Sequence, residues 1–225
     1  MSRSAPSRDV VCGDGVTFIR EREFARHEAV FTSMPDVSEM GGMPFEEWRA
    51  WFTETARLVC ERVHTNQVAA FYQTDIKKDG GWVDKAHLVH LGADAAGARL
   101  LWHKIVCRVP AGRVTFGRPA FAHLLCFSRA SRLHPGASTA DVLPELGEMT
   151  WARAMGAAAA LSVARFLKEH AKATTLIDPF CGVGTALAAA NAVGLDAIGV
   201  ELSRKRAARA QQLSLRPILG SEAMR

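Results

Sequence analysis

The sequence predicts an α/β fold in which helices cover both faces of a mostly parallel sheet. Short apolar runs alternate with amphipathic stretches along the chain, as they do where strands and helices follow one another. One apolar run turns through two glycines into a helix at residues 176–185, which is typical of a parallel sheet that binds a ligand at its strand ends. The 225 residues are 48% hydrophobic and 23% charged, which suffices for one ordinary domain with its own core.

The apolar runs predict about seven strands. They cover residues 10–12, 29–33, 68–73, 100–107, 121–128, 175–178 and 197–200. Helices are predicted over residues 83–96, 185–193 and 203–213, from Pro44, and from about Thr150 to His170. Pro44 stands at a first helical position and is followed by two glutamates, while Thr150 is a suitable N-cap.

Composition and charge exclude several classes of function. No apolar run approaches the roughly 20 residues that cross a bilayer, so a membrane-spanning role is excluded. The five cysteines are scattered, which predicts reduced thiols and favours the cytoplasm. A mitochondrion or plastid is the alternative, because the first eight residues contain two arginines and no acid. Histidines and cysteines lack zinc-type spacing, so no metal site is predicted, and the net charge of +5 suits a polyanionic partner.

The most informative stretch, residues 178–185, reads Asp-Pro-Phe-Cys-Gly-Val-Gly-Thr. Gly182 and Gly184 lack a Cβ, so a ligand can lie against their backbone and against the free N–H groups of the helix that follows. Glu201 ends the next predicted strand, where its carboxylate can accept both hydroxyls of a ribose. The pattern therefore predicts a nucleoside site. A dinucleotide turn or a purely structural βαβ unit is the alternative, but the third glycine of the dinucleotide pattern is missing.

These residues resemble the first and second motifs of the S-adenosylmethionine-dependent methyltransferases, most closely the amino-methylating nucleic-acid enzymes. The resemblance implies a Rossmann-like, seven-stranded fold built as a three-layer αβα sandwich, with S-adenosyl-L-methionine as the cofactor. It also implies that the motif residues lie along the methionine and ribose of that cofactor, with Glu201 on the ribose. The residues of the first motif are Asp178, Pro179, Phe180, Cys181, Gly182, Gly184 and Thr185.

The position of this motif in the chain implies a circular permutation. Forty residues follow Thr185, so the other strands must come from earlier residues, as in the β group of the DNA amino-methyltransferases. We expect one domain over residues 1–225, with a substrate half at about 9–129 and a cofactor half at about 148–215. Asp14 lies in a segment similar to the third motif and would approach the adenine amine, unless that segment is a simple turn. Trp151 resembles part of the tenth motif, and core packing is the alternative.

The predicted catalytic loop departs from the pattern of the family. Those enzymes carry [Asp/Asn/Ser]-Pro-Pro-[Tyr/Phe/Trp], whereas this chain has Ser33-Met34-Pro35-Asp36. Ser33 and Pro35 fit, but Met34 replaces the first proline and Asp36 replaces the aromatic residue that stacks on a flipped base. Asp36 is our candidate for orienting or deprotonating the acceptor, and a helix-capping or turn role is its alternative.

Four further polar residues lie near predicted strand ends or in the strands beside them, where open α/β sheets bind ligands. They are Asp75, His103, Lys104 and Arg118, which are therefore candidate substrate contacts. For each one alone, a solvated charge or a satisfied core histidine is the alternative.

The short segment at residues 129–148 bears on the choice of substrate. It has about twenty residues, which offers little surface for reading a duplex. We therefore expect a methyltransferase that acts on RNA, such as a tRNA or rRNA base, rather than on DNA. A small-molecule or protein methyltransferase is one alternative. An RNA-bound assembly factor with little catalysis is another, which the altered loop permits and the intact residues 178–185 and Glu201 oppose.

Overall fold

The structure is a computed structural model that describes residues 5–151 and 154–215. Its strands are β1 (Arg8–Cys12), β2 (Glu28–Thr32), β3 (Ala69–Gln73), β4 (Ile76–Lys78), β5 (Gly81–Val83), β6 (Arg99–Cys107), β7 (Phe121–Ser128), β8 (Val142–Leu143), β9 (Thr175–Asp178) and β10 (Asp196–Glu201). Its helices are α1 (Gly15–Glu21), α2 (Phe45–Arg62), α3 (Lys85–Ala95), α4 (Ala157–Glu169), α5 (Thr185–Ala192) and α6 (Arg204–Gln212).

Eight strands form the central sheet in the order β1-β10-β9-β2-β3-β7-β6-β8. The five from β1 to β3 are mutually parallel, and β7 runs antiparallel to both β3 and β6. The direction of β6 is therefore that of β3. Although β9 comes late in the chain, it lies in the middle of the sheet, between β10 and β2. The carboxyl ends of β1, β10, β9, β2 and β3 meet along one edge, where such sheets bind ligands.

Helices cover both faces of this sheet. Consecutive strand residues point to opposite faces, so Val30 and Ile177 belong to one core while Phe31 and Leu176 belong to the other. Helices α1, α2 and α3 pack over the first core, and α4, α5 and α6 over the second. Because both faces are buried, the parallel strands read as continuous apolar runs. The predicted three-layer αβα architecture is confirmed.

All seven predicted strands are present, and three short ones were missed. β8 has two residues, and β4 and β5 form a separate hairpin. Asp79 and Gly80 turn that hairpin with φ angles of 50° and 81°. Two successive positive φ angles are the mark of a tight hairpin turn, for which Asp-Gly is a strong sequence signal. The Asp-Gly pair therefore indicates this hairpin even though its strands are too short to show an apolar run.

Two predicted helix starts were wrong, and α1 was missed. α4 begins at Ala157 rather than at Thr150, because Met149 and Gly156 form an isolated β-bridge ahead of it. The carbonyl of Glu148 accepts from the Ala157 N–H at 2.9 Å, so the preceding loop caps the helix. α3 begins after Asp84, whose side chain accepts from the His87 N–H, and not at residue 83. Asp14 caps the missed helix in the same way, by accepting from the Thr17 N–H.

Among the described residues, no helix combines the length and the apolar character that crossing a bilayer requires.

Candidate active site

A cleft of about 190 Å³ lies at the carboxyl ends of β1, β10, β9 and β2. It gathers most of the residues that the sequence singled out, although they come from both ends of the chain. Those lining it are Asp14, Ser33, Pro35, Trp151, Asp178, Pro179, Phe180, Cys181, Gly182, Thr185 and Glu201. The fold therefore places the predicted nucleoside loop, the predicted catalytic loop and the Asp14 turn around one space.

Asp178 is the most deeply buried acid of this cleft. It ends β9 with 1% of its surface exposed. Its Oδ1 atom accepts from the Thr32 hydroxyl at 2.6 Å and from the Phe180 N–H at 3.1 Å, while Oδ2 receives no hydrogen bond within the described chain. Burial raises the pKa of Asp178 from 3.8 to about 7, against the opposing effect of those two bonds. A cationic ligand in the cleft would therefore stabilise the ionised form.

The two glycines of the loop have different tasks. Gly182 has a φ of +56°, and a Cβ built on it would meet no atom within 4 Å, so its backbone is open to a ligand. Gly184 has a φ of +89°, and its Cβ would lie 2.9 Å from the Cα of Ala210 in α6. Gly184 does not line the cleft. Gly184 allows α6 to approach the start of α5, and its contact with a cofactor stays a prediction.

We expect Gly184→Ala to lower the free energy of unfolding by about 2–4 kcal/mol, because a strained φ and an overlap with α6 add together. Gly182→Ala meets open space and should cost about 1–2 kcal/mol, from the φ angle alone. Urea denaturation of both variants measures the difference. Equal losses of stability would contradict the separate roles of the two glycines.

Glu201 ends β10 and is 7% exposed. Its Oε1 atom accepts from the Ser203 N–H at 2.8 Å and from Arg206 Nε at 2.9 Å. Oε2 receives no hydrogen bond from the described residues and is left to accept from a ligand. Arg206 thereby orients this carboxylate.

Asp14 and Gly15 join β1 to the cleft. A Cβ on Gly15 would lie 2.1 Å from the Pro179 carbonyl, so the turn at the start of α1 packs directly on the nucleoside loop. The two interpretations of Asp14 are thus compatible, because it caps α1 through one oxygen and still lines the cleft. Trp151 is half-buried and also lines the cleft, next to residues 152 and 153, which lie outside the described chain.

An aromatic contact in the cleft escaped the sequence reasoning. Trp51 of α2 follows the buried Trp48 by three residues, but it is only partly buried and lines the cleft. Its ring meets that of Phe180 edge-on, with centroids 6.0 Å apart. Helical spacing cannot distinguish a buried Trp51 from one that lines the cleft, because Trp51 lies about one turn from Trp48, at the margin of the same helix face.

Cys181 is not placed to act as a nucleophile. Cys181 lines the cleft, but burial, and then the nearby Asp178 and Glu201 carboxylates, raise the pKa of its thiol well above the usual range. A protonated thiol is a poor nucleophile.

The predicted catalytic loop, Ser33 to Asp36, separates the cleft from a second cavity of about 300 Å³. Ser33, Met34, Glu39 and Ala154 line both spaces, so the two adjoin. The buried Trp48 holds the loop, since its Nε1 donates to the Pro35 carbonyl at 3.2 Å. Helix α2 therefore holds the loop that separates the two cavities in place.

Asp36 faces the second cavity and forms an ion pair with Lys85 Nζ. Lys85 is 3% exposed, and its ammonium lies 5.2 Å from the centre of the Phe52 ring. Asp36 also stands at the N-cap of the 3₁₀ turn Val37–Glu39, so it occupies the capping position of the alternative interpretation. Its side chain nevertheless bonds to Lys85, which fixes its orientation toward the cavity.

Asp75 connects Lys85 to a pair of histidines. Asp75 Oδ1 accepts from the Lys85 N–H at 2.9 Å, and Oδ2 lies 3.2 Å from His123 Nε2. Burial opposes ionisation of Asp75, but its bonds to His123 and Lys85 hold its pKa below the ordinary value. His123 Nδ1 lies 2.9 Å from His103 Nε2, and burial followed by repulsion from His123 lowers the pKa of His103.

Of the four predicted substrate contacts, Asp75 and Arg118 line the second cavity, whereas His103 and Lys104 line neither cavity. His103 lies behind His123. Lys104 donates to the carbonyls of Thr139 and Ala140 at 2.8 and 2.9 Å and so fastens the segment before β8. A side chain within a strand points to one face of the sheet rather than to its edge, which explains both differences.

One group of described residues, Asp75, Asp84 and His123, has the spacing to hold a metal ion. Its donors already have partners, because Asp75 and His123 bond to each other and Asp84 caps α3. We therefore assign no metal to it.

No family model matches the chain, and no curated protein matches it. Several solved structures, in contrast, match the chain in fold. The putative DNA modification methylase of Thermus thermophilus, complexed with S-adenosyl-L-methionine, is 17% identical with a TM-score of 0.68, over 91% of this chain and 92% of that one. The PvuII DNA methyltransferase, which is cytosine-N4-specific, is 13% identical with a TM-score of 0.70, over 93% and 88%.

The chain has the methyltransferase fold. A third structure, the M1.HpyAVI–SAM complex, is 12% identical with a TM-score of 0.56 and agrees over 91% of this chain and 98% of that one. At these identities the likeness concerns the fold, which is the Rossmann-like arrangement that the sequence predicted.

Proposed function

We propose that the protein is an S-adenosylmethionine-dependent methyltransferase that acts on a nucleic acid. The observation that carries this proposal is the cleft that joins the nucleoside loop and Glu201 to residues Ser33 to Pro35 of the predicted catalytic loop, with Asp36 in the adjoining second cavity. Solved structures of the same fold support it, since they include named DNA methylases and two are complexes with this cofactor.

The residues present fit the cofactor. Gly182 leaves an open cradle, Glu201 keeps one oxygen to accept from ribose hydroxyls, and Asp178 offers a carboxylate to the cationic methionine end. Asp14 would accept from the adenine amine. The bound cofactor supplies an activated methyl group on its sulfonium. The protein then has to align the acceptor in line with that group and exclude water.

We place the acceptor of the methyl group at the junction between the cleft and the second cavity. Ser33 lines both spaces, and Asp36 faces the second cavity, which we take as the outer one, with its carboxylate paired with Lys85. A nucleophilic atom that enters from the outer cavity would meet the Ser33 hydroxyl with Asp36 beside it. We assign to Asp36 the orientation of the acceptor or the removal of its proton. In this proposal residues of about 9–129 form the substrate half and those of about 148–215 the cofactor half, in permuted order.

The choice between RNA and DNA rests on two opposed observations. The short segment at 129–148 favours an unpaired strand, for which RNA is the expected polymer. The Thermus thermophilus neighbour is named a putative DNA modification methylase, and this chain covers 92% of it, so a protein of nearly this length carries that description. A short segment alone therefore does not favour RNA. We propose an unpaired nucleic acid as the substrate and test both polymers.

Incubation with methyl-labelled cofactor and separate RNA, DNA, protein and small-molecule fractions tests this function. Label in either nucleic acid supports the proposal, and digestion to nucleosides identifies the modified base. Label in protein or in small molecules would overturn the nucleic-acid part. Failure to bind the cofactor in calorimetry would overturn the whole proposal.

We expect cofactor affinity to rise with pH up to about 7 and then to level off. Because burial raises the pKa of free Asp178 to about 7, the acid must lose its proton when a cation binds. Binding should therefore release a proton at low pH and none well above pH 7. Calorimetry across this range in two buffers of different ionisation enthalpy measures both effects. Proton uptake, or a flat profile, would contradict this assignment.

A further inference from the structure

We propose that a surface at the mouth of the second cavity binds the unpaired nucleotides that flank the one being methylated. We call it the outer rim and define it by Lys77, Trp82, Arg108, Phe116 and Arg118. Lys77 and Trp82 belong to the β4–β5 hairpin, and the other three belong to the segment between β6 and β7. This inference rests on the proposed function and names the part of the substrate that the rim contacts.

The cations of the rim are available for phosphate. Lys77, Arg108 and Arg118 line the second cavity, as does Lys85. Lys85 already has Asp36 as its partner, but none of the three rim cations forms a salt bridge with a carboxylate in the described chain. Arg108 donates one long bond of 3.3 Å, to the Pro119 carbonyl. With Lys85, these cations outnumber the three acids that line the same cavity, Asp36, Glu39 and Asp75, so the opening keeps a positive balance that attracts a polyanion.

Two large rings stand exposed beside these charges. Phe116 is 92% exposed, and Trp82 is 52% exposed with Lys77 Nζ 4.7 Å from its ring centre. Phe116 immediately precedes Gly117 and Arg118, which line the cavity. Exposed aromatic rings among cations form stacking platforms for unpaired bases, because every base presents a flat apolar face.

The catalytic loop explains why such platforms matter here. Asp36 stands where the resembled family has a stacking aromatic residue, so the loop itself cannot hold a base between rings. The rim offers rings farther outward, on the hairpin and on the segment between β6 and β7. A paired duplex hides its base faces, so this surface favours a single strand over a duplex.

Fluorescence anisotropy of the full-length protein with labelled single-stranded RNA and DNA oligonucleotides, and with the matching duplexes, tests the inference without cofactor. The Arg108→Ala/Arg118→Ala variant should bind single strands at least about 10-fold more weakly, and its salt dependence should decrease by roughly one to two phosphate contacts. The Arg26→Ala/Arg99→Ala variant is the matched control, because it removes two exposed arginines just before β2 and at the start of β6, on the opposite edge of the sheet. Its affinity should stay within about twofold.

Stacking is tested separately. Phe116→Leu keeps an apolar side chain without a ring and should weaken binding by about 5-fold or more, whereas Phe116→Tyr should bind like the unchanged protein. Phe116 is exposed, so neither change should alter the melting temperature. Equal binding by Phe116→Leu and Phe116→Tyr would remove stacking from the proposal.

The other outcomes are equally decisive. Equal losses in the rim and control variants, tighter binding of duplex than of single strands, or a preference for acidic peptides would overturn the inference. A protein that binds the cofactor but no oligonucleotide would overturn it while leaving a methyltransferase function intact. A protein that binds oligonucleotides through the rim but no cofactor would overturn the proposed function and leave this inference standing.

Discussion

Asp178→Ala is expected to weaken binding of S-adenosylmethionine at least about 100-fold. The change removes a buried carboxylate from the cleft, and one charge-assisted hydrogen bond contributes about 1.5–3 kcal/mol before the lost attraction to the sulfonium is counted. Calorimetry at about pH 8, where the acid is ionised, gives the largest difference. An unchanged affinity would remove Asp178 from the cofactor site.

Asp178→Asn separates loss of charge from loss of structure. The amide oxygen can still accept from Thr32 and Phe180, so the local fold is retained while the charge is removed. Because burial raises the pKa of Asp178 from 3.8 to about 7, the native protein loses stability as the pH rises through that range and stays less stable above it. The shift corresponds to about 4 kcal/mol.

The asparagine variant should therefore be more stable than the unchanged protein above pH 7 and yet bind the cofactor more weakly. Thermal melting at about pH 4 and pH 8 measures the first effect, and calorimetry measures the second. A gain in stability together with a loss of affinity is expected where a site keeps a charge that destabilises the fold but binds the ligand. A variant that is less stable at high pH would show that the carboxylate is structural.

Asp36→Ala is expected to lower kcat by about 100-fold or more while cofactor affinity stays within about twofold. A positioned acid or base contributes roughly 10²–10⁴ to a rate, and Asp36 lines the outer cavity rather than the cofactor cleft. Single-turnover methylation of the substrate found by labelling measures the rate. Calorimetry on the same variant measures cofactor binding.

Asp94→Ala is the matched control, since Asp94 is exposed near the end of α3 and lines neither cavity. It should leave both quantities unchanged. Equal turnover by Asp36→Ala and the unchanged protein would return Asp36 to the turn role that its place before Val37–Glu39 permits. Loss of cofactor affinity would instead mean that the ion pair with Lys85 supports the cleft.

The central sheet and the elements within residues 175–201 were predictable because their signals are local and contiguous. β9, the glycine turn and α5 follow one another within residues 175–192, and β10 ends at Glu201 a few residues later. Strands buried on both faces give apolar runs that need no knowledge of their partners. Bringing Glu201 and residues 178–185 to one site required one further fact, that parallel strands present their carboxyl ends at the same edge.

The parts that escaped prediction depend on contacts between distant segments. Nothing in the pattern around Lys85 indicates that its ammonium is buried against Asp36, 49 positions earlier. The wrong start of α4 has a similar cause, because a favourable capping residue at 150 was overridden by a loop that bridges Met149 to Gly156. Local propensity loses to tertiary packing at such places. The positions of His103 and Lys104 away from both cavities could not be predicted, because the order of strands does not say which face a side chain takes.

The position of β9 in the sheet has a consequence for how the protein is made. Thr32 and Asp178, which bond across adjacent central strands, are 146 positions apart in the chain. During synthesis β2 and β3 therefore leave the ribosome long before β9, which pairs with β2. Until β9 is made, the edge of β2 that pairs with it has no partner strand. We expect nascent chains halted in α4 to aggregate or to require a chaperone, and refolding from denaturant to be slow, since its decisive pairings close long loops.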